Sequence, residues 1–299
     1  MAAEVLDGRA VAEKVKEELR GRIAHLGTRG LIPSLTLIRV GEDPASRVYV
    51  RAKQKACKAV GITSATIHLP EQSTRQELLD QVDALNRDKS VHGLLVQLPL
   101  PRHLAEDEIL SAIDPQKDVD GFHPLNIGLL CLGTPRFIPA TPLGILKILE
   151  FYQIPTEGRC VVVLGRSRTV GRPLANLLSA KASFGNATVT VCHTLTRDLN
   201  RHTREADIVI AAAGSKRFLT ADMVSPDAVV IDVGIHREPD PDRPGKTRLC
   251  GDADFEGLKG RVRALTPVPG GVGPMTVASL LANTVTAAER LSPEGTSAL

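Results

Sequence analysis

Aromatic residues are scarce: tryptophan is absent, tyrosine occurs twice and phenylalanine six times in 299 residues. So few rings leave single-stranded nucleic acid without its stacking platforms. No C-x-x-C occurs among the five cysteines, Cys57, Cys131, Cys160, Cys192 and Cys250. The odd number and the spacing argue against a disulfide framework or a structural zinc site, and free thiols suit a reducing cytoplasm. Cys192-His193 is the one Cys/His adjacency. In an alternating strand these neighbours face opposite ways, so no metal is expected. Nowhere do 18 apolar residues run on, and the start, Met1 to Asp7, lacks the basic and apolar parts of a signal peptide. An excess of one charge is missing too. Lysine plus arginine number 37 against 34 acids, a net +3. No strong field recruits nucleic acid or a membrane surface, so neither partner is expected.

What is present is ordinary for a globular chain, 42% apolar and 24% charged, with length enough for two domains. Val11, Val15, Leu19, Ile23 and Leu26 recur at helical spacing. Strands are predicted at Leu35–Val40, Ala65–Leu69 and Val91–Leu98. Helices are predicted at about 45–60 and after Thr74, whose Glu77 three residues on forms a capping box. A long proline-punctuated loop, 113–142, reads as functional. A helix over 141–152 leads out of the first domain. Strands at Cys160–Leu164, Thr188–Cys192, Asp207–Ala212, Ala228–Val233 and near Ala264 follow, with a helix over 170–180. Residues 237–248 read as a surface hairpin or loop, 275–291 as a final helix, and the tail beyond Ser292 as frayed. The expectation is an α/β protein of two α/β domains. The second is a Rossmann-like doubly wound, mainly parallel sheet, and the active-site cleft lies between the two. Residues 1–142, completed by helix 275–292, form the first; residues 143–274 form the second.

Chemistry concentrates in three segments. In Tyr49-Val50-Arg51-Ala52-Lys53 the tyrosine and lysine lie four apart, on one helix face. Gln97 ends an apolar strand in Gln97-Leu98-Pro99-Leu100-Pro101. Asp120 sits in the loop Lys117-Asp118-Val119-Asp120-Gly121. An aromatic, an amine, an amide and a carboxylate come from a helix, a strand end and a loop. Asp118 is the decoy, read as a turn or cap residue. His92, His103, His123 and His193 have no triad spacing.

After the first strand of the second domain comes Gly165-Arg166-Ser167-Arg168-Thr169-Val170-Gly171. Strand, glycine-rich turn and helix bind phosphate through backbone N–H groups. The copy departs from G-x-G-x-x-G, with Ser167 in place of the second glycine. The pattern also fits a merely tight turn. The next strand ends in His193-Thr194-Leu195-Thr196-Arg197, without the acid that holds an NAD ribose, while Arg166 suits a 2′-phosphate. NADP is therefore favoured over NAD.

These segments, with Ile231-Asp232-Val233-Gly234-Ile235 and Thr266 to Thr276, resemble the bifunctional methylenetetrahydrofolate dehydrogenase/methenyltetrahydrofolate cyclohydrolase family over nearly the whole chain. The resemblance implies oxidation of 5,10-methylenetetrahydrofolate with NADP+, then hydrolysis to 10-formyltetrahydrofolate, in one-carbon metabolism and purine biosynthesis. It implies Lys53 as the catalytic amine, Gln97 orienting it, Tyr49 beside the folate and Asp120 on the pterin. It implies NADP contacts from Gly165, Arg166, Ser167, Thr194 and Ile235. Pro269, Gly270 and Gly271 would line the substrate cleft, and subunits would pair as homodimers. One departure is visible. Family members often read Pro-Cys-Thr-Pro where Pro139-Ala140-Thr141-Pro142 stands, so nucleophilic cysteine chemistry is excluded there. The alternatives are a monofunctional NAD(P)-dependent methylenetetrahydrofolate dehydrogenase, a two-domain NADP dehydrogenase for another metabolite, and a non-enzymatic dinucleotide-binding protein. Lys53 as base needs a lowered pKa. Burial is expected to lower it more than Arg51 and Lys55, which leave the helix on other faces.

Overall fold

A computed structural model describes residues 3–291 apart from 242 and 244; the tail read as frayed lies outside the described residues. The chain divides into two units, one of Met1–Ala12 with Thr141–Thr276, the other of Glu13–Ala140 with Val277–Leu299.

In chain order the elements open with β1 (Glu4–Val5), α1 (Gly8–Gly27), β2 (Ser34–Val40), α2 (Pro44–Val60), β3 (Thr63–Leu69), α3 (Arg75–Arg87) and β4 (Gly93–Val96). Three helices follow, α4 (Glu106–Ala112), α5 (Pro124–Cys131) and α6 (Ala140–Phe151). Then come β5 (Cys160–Leu164), α7 (Gly171–Ser179), β6 (Thr188–Cys192), α8 (Leu199–Arg204), β7 (Ile208–Ala211) and β8 (Val229–Asp232). The chain closes with β9 (His236–Pro239), β10 (Thr247–Cys250), α9 (Phe255–Leu258), β11 (Ala264–Leu265) and α10 (Val272–Leu291).

The unit around β2 holds a parallel sheet of order β3-β2-β4. Side chains alternate along β2, so each face meets its own core. Leu35 and Leu37 pack with Val50, Cys57, Val119, Phe137, Leu281 and Val285. Ile38 and Val40 pack with Leu78, Val82, Leu94, Val96 and Ile109. Helix α2 starts at Asp43, whose carboxylate accepts the Ser46 N–H at 2.6 Å, and stops at Gly61 in a left-handed cap. The expected capping box at Thr74 and Glu77 is present at the start of α3. The stretch 113–142 is less irregular than expected, because α5 forms within it. Pro124 suits the first helical turn, and the His123 ring accepts the Leu125 N–H.

The second unit is a six-stranded sheet of order β1-β11-β8-β7-β5-β6, parallel throughout. From β5 onward the order reverses between β5 and β7, with β6 on the other side. That reversal is the switch point of a doubly wound sheet, where crevices open at the strand C-termini. In the stretch expected to be a surface hairpin or loop, β9 pairs antiparallel with β10. Residues 1–12 were expected with the first domain; they group with this sheet instead. β1 hydrogen-bonds to β11 along Glu4–Ala264 and Val5–Leu265, and a two-residue strand leaves no hydrophobic period to read. Residues Asp7 and Gly8, just after β1, are held within the same unit. The Tyr152 hydroxyl accepts the Asp7 N–H at 2.8 Å, and any side chain on Gly8 would collide with the Gly271 carbonyl.

Candidate active site

Lys53 sits mid-way along α2, one turn after Tyr49, and is half-buried. Its Nζ donates to Gln97 Oε1 at 3.0 Å. Gln97 follows β4 directly, and its N–H donates to the Ile38 carbonyl of β2 at 2.8 Å. The amide is oriented at both ends. Its Nε2 donates to the Leu98 carbonyl at 2.7 Å, which leaves Oε1 facing the amine. Burial pushes the Lys53 pKa below the ordinary lysine value; the negative charge of Asp120 and the Cys57 side chain act the other way. Arg51 and Lys55 are exposed and are not among the causes, as expected. The Cys57 thiol, fully buried on the same face, is pushed up to about 12 by burial and stays neutral. Tyr49 is 41% exposed, leaving its ring open to a ligand.

Asp120 is brought near this pair. Burial raises its pKa, Asp118 raises it further, and Lys53 opposes both. Among the described residues, no ion pair joins Asp120 to Lys53 and no protein donor reaches the Asp120 carboxylate. A desolvated amine and a desolvated acid that are not clamped to each other stay available to a ligand.

Asp118 is more than a turn residue. It is 1% exposed and accepts the His123 N–H and the Asn126 Nδ2, each at 2.8 Å. Lys117 is also buried. Its ammonium donates to the carbonyls of Leu85, Asn86 and Asp88 at 2.9, 2.7 and 2.6 Å, capping the C-terminus of α3. Of the two acids in this loop, one fastens it and the other is presented by it.

The cofactor residues lie in the other unit. A cavity of about 520 Å³ is walled by Gly165, Arg166 and Ser167 after β5, by Cys192, His193, Thr194 and Thr196 after β6, and by Ala212, Ala213 and Ser215 after β7. It stands at the switch point. Gly165 has φ +117°, and a Cβ there would collide with the Ala212 carbonyl. Ser167 supplies the reason for the missing second glycine. Its Oγ accepts the N–H groups of Val170 and Gly171 at 3.1 and 3.2 Å, at the start of α7. That leaves the Ser167 hydroxyl proton for an incoming anion. Arg166 is exposed and makes no ion pair among the described residues. His193 turns the chain after β6, its Nδ1 accepting the Leu195 N–H at 3.2 Å. These residues fit a nucleotide carrying a 2′-phosphate: backbone room, unpaired positive charge, hydroxyls, and no carboxylate on the wall.

Ile235 is not part of that wall; it is 45% exposed beyond β8. Pro269, Gly270 and Gly271 form the turn before α10, with Gly271 N–H donating to the Pro267 carbonyl at 2.7 Å. They belong to the unit that holds the cavity, not to the unit that holds Lys53.

Sequence reasoning missed a buried carboxylate pair. Asp232 accepts the N–H groups of Gly234, Asp252 and Ala253, all at 2.9 Å, and burial raises its pKa to about 6. Asp252 accepts the Gly214 N–H at 2.8 Å and bonds His236 Nε2 at 2.6 Å. This network ties the segment bearing Ala213 and Ser215 to its neighbours. The flanking glycines, Gly234 and Gly251, were the available signal, since a side chain on either would strike these carboxylates.

Residues 6–120 match the tetrahydrofolate dehydrogenase/cyclohydrolase catalytic domain, and residues 139–292 the NAD(P)-binding domain of the same family. The chain is 52% identical over 284 residues to the bifunctional protein FolD of Prosthecochloris aestuarii, covering 94% of this chain and 96% of that one. The crystal structure of bifunctional FolD from Campylobacter jejuni superposes with a TM-score of 0.91 at 49% identity, over 97% of this chain and 99% of that one. The Trypanosoma brucei enzyme complexed with NADP cofactor and inhibitor gives 0.91 at 39% identity, over 97% and 98%.

Proposed function

The chain belongs to the tetrahydrofolate dehydrogenase/cyclohydrolase family, and we propose that Lys53, Gln97, Tyr49 and Asp120 carry its folate chemistry while Gly165, Arg166, Ser167, Thr194 and Ile235 hold NADP. It oxidises 5,10-methylenetetrahydrofolate to 5,10-methenyltetrahydrofolate and hydrolyses the product to 10-formyltetrahydrofolate. Bound NADP+ supplies the hydride acceptor for the first reaction. Arg166 pairs with the 2′-phosphate, Thr194 hydrogen-bonds beside it, and Gly165 gives the backbone room to approach.

The hydrolysis needs a group that takes a proton from water at the methenyl carbon and returns one as the ring opens. The single observation that carries the assignment is the half-buried Lys53 amine, its pKa pushed down by desolvation, held at 3.0 Å by an uncharged acceptor. A carboxylate in place of Gln97 would keep the amine protonated; an amide oxygen orients it without that penalty. A cationic substrate favours the neutral amine further. Asp120 accepts hydrogen bonds from the pterin edge, and Tyr49 lies against the folate ring system. Pro269, Gly270 and Gly271 contribute backbone to the substrate. Tyr49, Lys53, Gln97 and Asp120 fall within 1–142, completed by helix 275–292, and the NADP residues fall within 143–274. The enzyme works as a cytoplasmic homodimer, and its product serves purine biosynthesis.

One assay tests the pair of activities. With methylenetetrahydrofolate and NADP+, absorbance at the NADPH band should rise and the methenyl chromophore should appear and decay. Lys53→Gln should stop the decay and leave NADP binding intact. Hydrolysis of methenyltetrahydrofolate at the wild-type rate by Lys53→Gln would remove Lys53 from the mechanism.

A further inference from the structure

Asn283 lies on α10, 6% exposed. Its Nδ2 donates twice, to the Val119 carbonyl at 2.8 Å and to the Ile138 carbonyl at 2.9 Å. Val119 immediately precedes Asp120. Gly121 immediately follows it, with φ +74°, and a Cβ at Gly121 would stand 3.0 Å from Pro139 N. The turn that presents Asp120 is therefore pressed against residues 138–139, and one amide joins the two backbones.

The helix that carries Asn283 is itself anchored. Leu281, Val285 and Ala288 share a core with Val119 and Phe137. Arg290 donates to the Arg136 carbonyl at 2.7 Å and lies 5.6 Å from the centre of the Phe137 ring. On the other side of the turn, His123 and Asn126 hold Asp118. Residues 118 and 119 are thus fixed by bonds on either side. The Asp120 carboxylate accepts no protein hydrogen bond among the described residues, so the hydrogen bonds that fix its direction are those on its backbone.

We infer that Asn283 is a substrate-positioning residue, which sets the direction of Asp120 by clamping the carbonyls of Val119 and Ile138. The inference rests on the reading of Asp120 as the acid that holds the folate. A buried amide that spends its N–H groups on the turn and on the segment beside it has a cost if lost: two carbonyls are left unpaired, and the turn can drift.

The test is a double-mutant cycle on the full-length enzyme, read by steady-state kinetics of both reactions, NADP affinity and melting temperature. Asn283→Ala should raise the folate KM about tenfold in both reactions, with kcat and NADP affinity little changed. In an Asp120→Ala background the same substitution should change the folate KM by less than about twofold, because the group it aims has gone. A structural tie alone would lower the melting temperature equally in both backgrounds and leave the KM coupling at zero. If Asn283→Ala does not fold, Asn283→Ser keeps one donor and enters the same cycle, with a smaller rise in KM expected. Additive effects, or an unchanged folate KM in a folded Asn283 variant, would overturn the inference and leave the role of Asp120 standing. A wild-type folate KM in Asp120→Ala would overturn that role and the inference with it.

Discussion

At the scale of single residues, burial and charge decide what each group can do. Lys53 has its pKa lowered by desolvation, so the folded state binds its proton less tightly than the unfolded chain does. The sign follows. Below its folded pKa the buried charge costs stability, and stability recovers as pH rises from that value to the ordinary lysine value. Lys53→Gln should therefore melt at a higher temperature than wild type at neutral pH, and the gap should close as pH approaches the lysine range. Melting curves across pH read this directly. The hydrolysis rate should rise with pH through the same titration, since the base acts neutral. Arg166 offers a second residue-scale expectation. Arg166→Ala should lose roughly 1.5–3 kcal/mol of NADP binding, about tenfold to a hundredfold, with NAD affinity unchanged. Equal losses for both cofactors would make Arg166 a support of its loop. Tyr49, Lys53, Gln97 and Asp120 were all legible in the sequence, because a helix period, a strand end and a glycine turn place them. Asn283 was not. An asparagine inside a helix carries no pattern, and its partners are backbone carbonyls 164 and 145 residues away.

At the scale of elements, the Lys117-Asp118-Val119-Asp120-Gly121 loop is held by bonds to four neighbours. Lys117 caps α3, Asp118 holds the start of α5, and α10 reaches Val119. The Leu94 N–H also donates to the Lys117 carbonyl at 2.8 Å, laying the loop along β4. Asp118 and Asp120 should therefore fail differently. Asp118→Ala leaves the His123 N–H and the Asn126 amide without their buried acceptor, a loss on the order of 2–4 kcal/mol, visible as a lower melting temperature. Asp120→Ala should keep the melting temperature and lose both activities through the folate KM. Calorimetry beside kinetics on the two variants decides it, and the reverse pattern would exchange the roles of the two acids. The family resemblance, not spacing, selected Asp120; the reason Asp118 is structural came only with its burial and its two bonds. Helix α5 was missed for a related reason. Eight residues with a glycine inside give too little period to stand out between prolines.

At the scale of the whole molecule, a chain of 32.0 kDa should sediment at twice that mass if the proposed homodimer forms, and at the single mass if it does not. The described residues contain no helix long and apolar enough to cross a membrane. The amino-acid sequence alone determined the main strands and helices, the parallel character of the sheets, the glycine-rich turn and the lack of an acid on which the expectation of NADP rests. Each of these is local, written in a hydrophobic period, a turn residue or the absence of an acid at one strand end. Tertiary structure alone decided three further things. It paired β1 with the six-stranded sheet, because strand pairing between Glu4 and Ala264 needs no sequence period. It made Ser167 a cap for α7 rather than a flaw in the glycine pattern, because a hydroxyl can take N–H groups that a glycine leaves open. It also separated the acid that is buried and bonded from the acid that is half-buried and accepts no hydrogen bond among the described residues, since hydrogen-bond partners and desolvation exist only once distant segments have met.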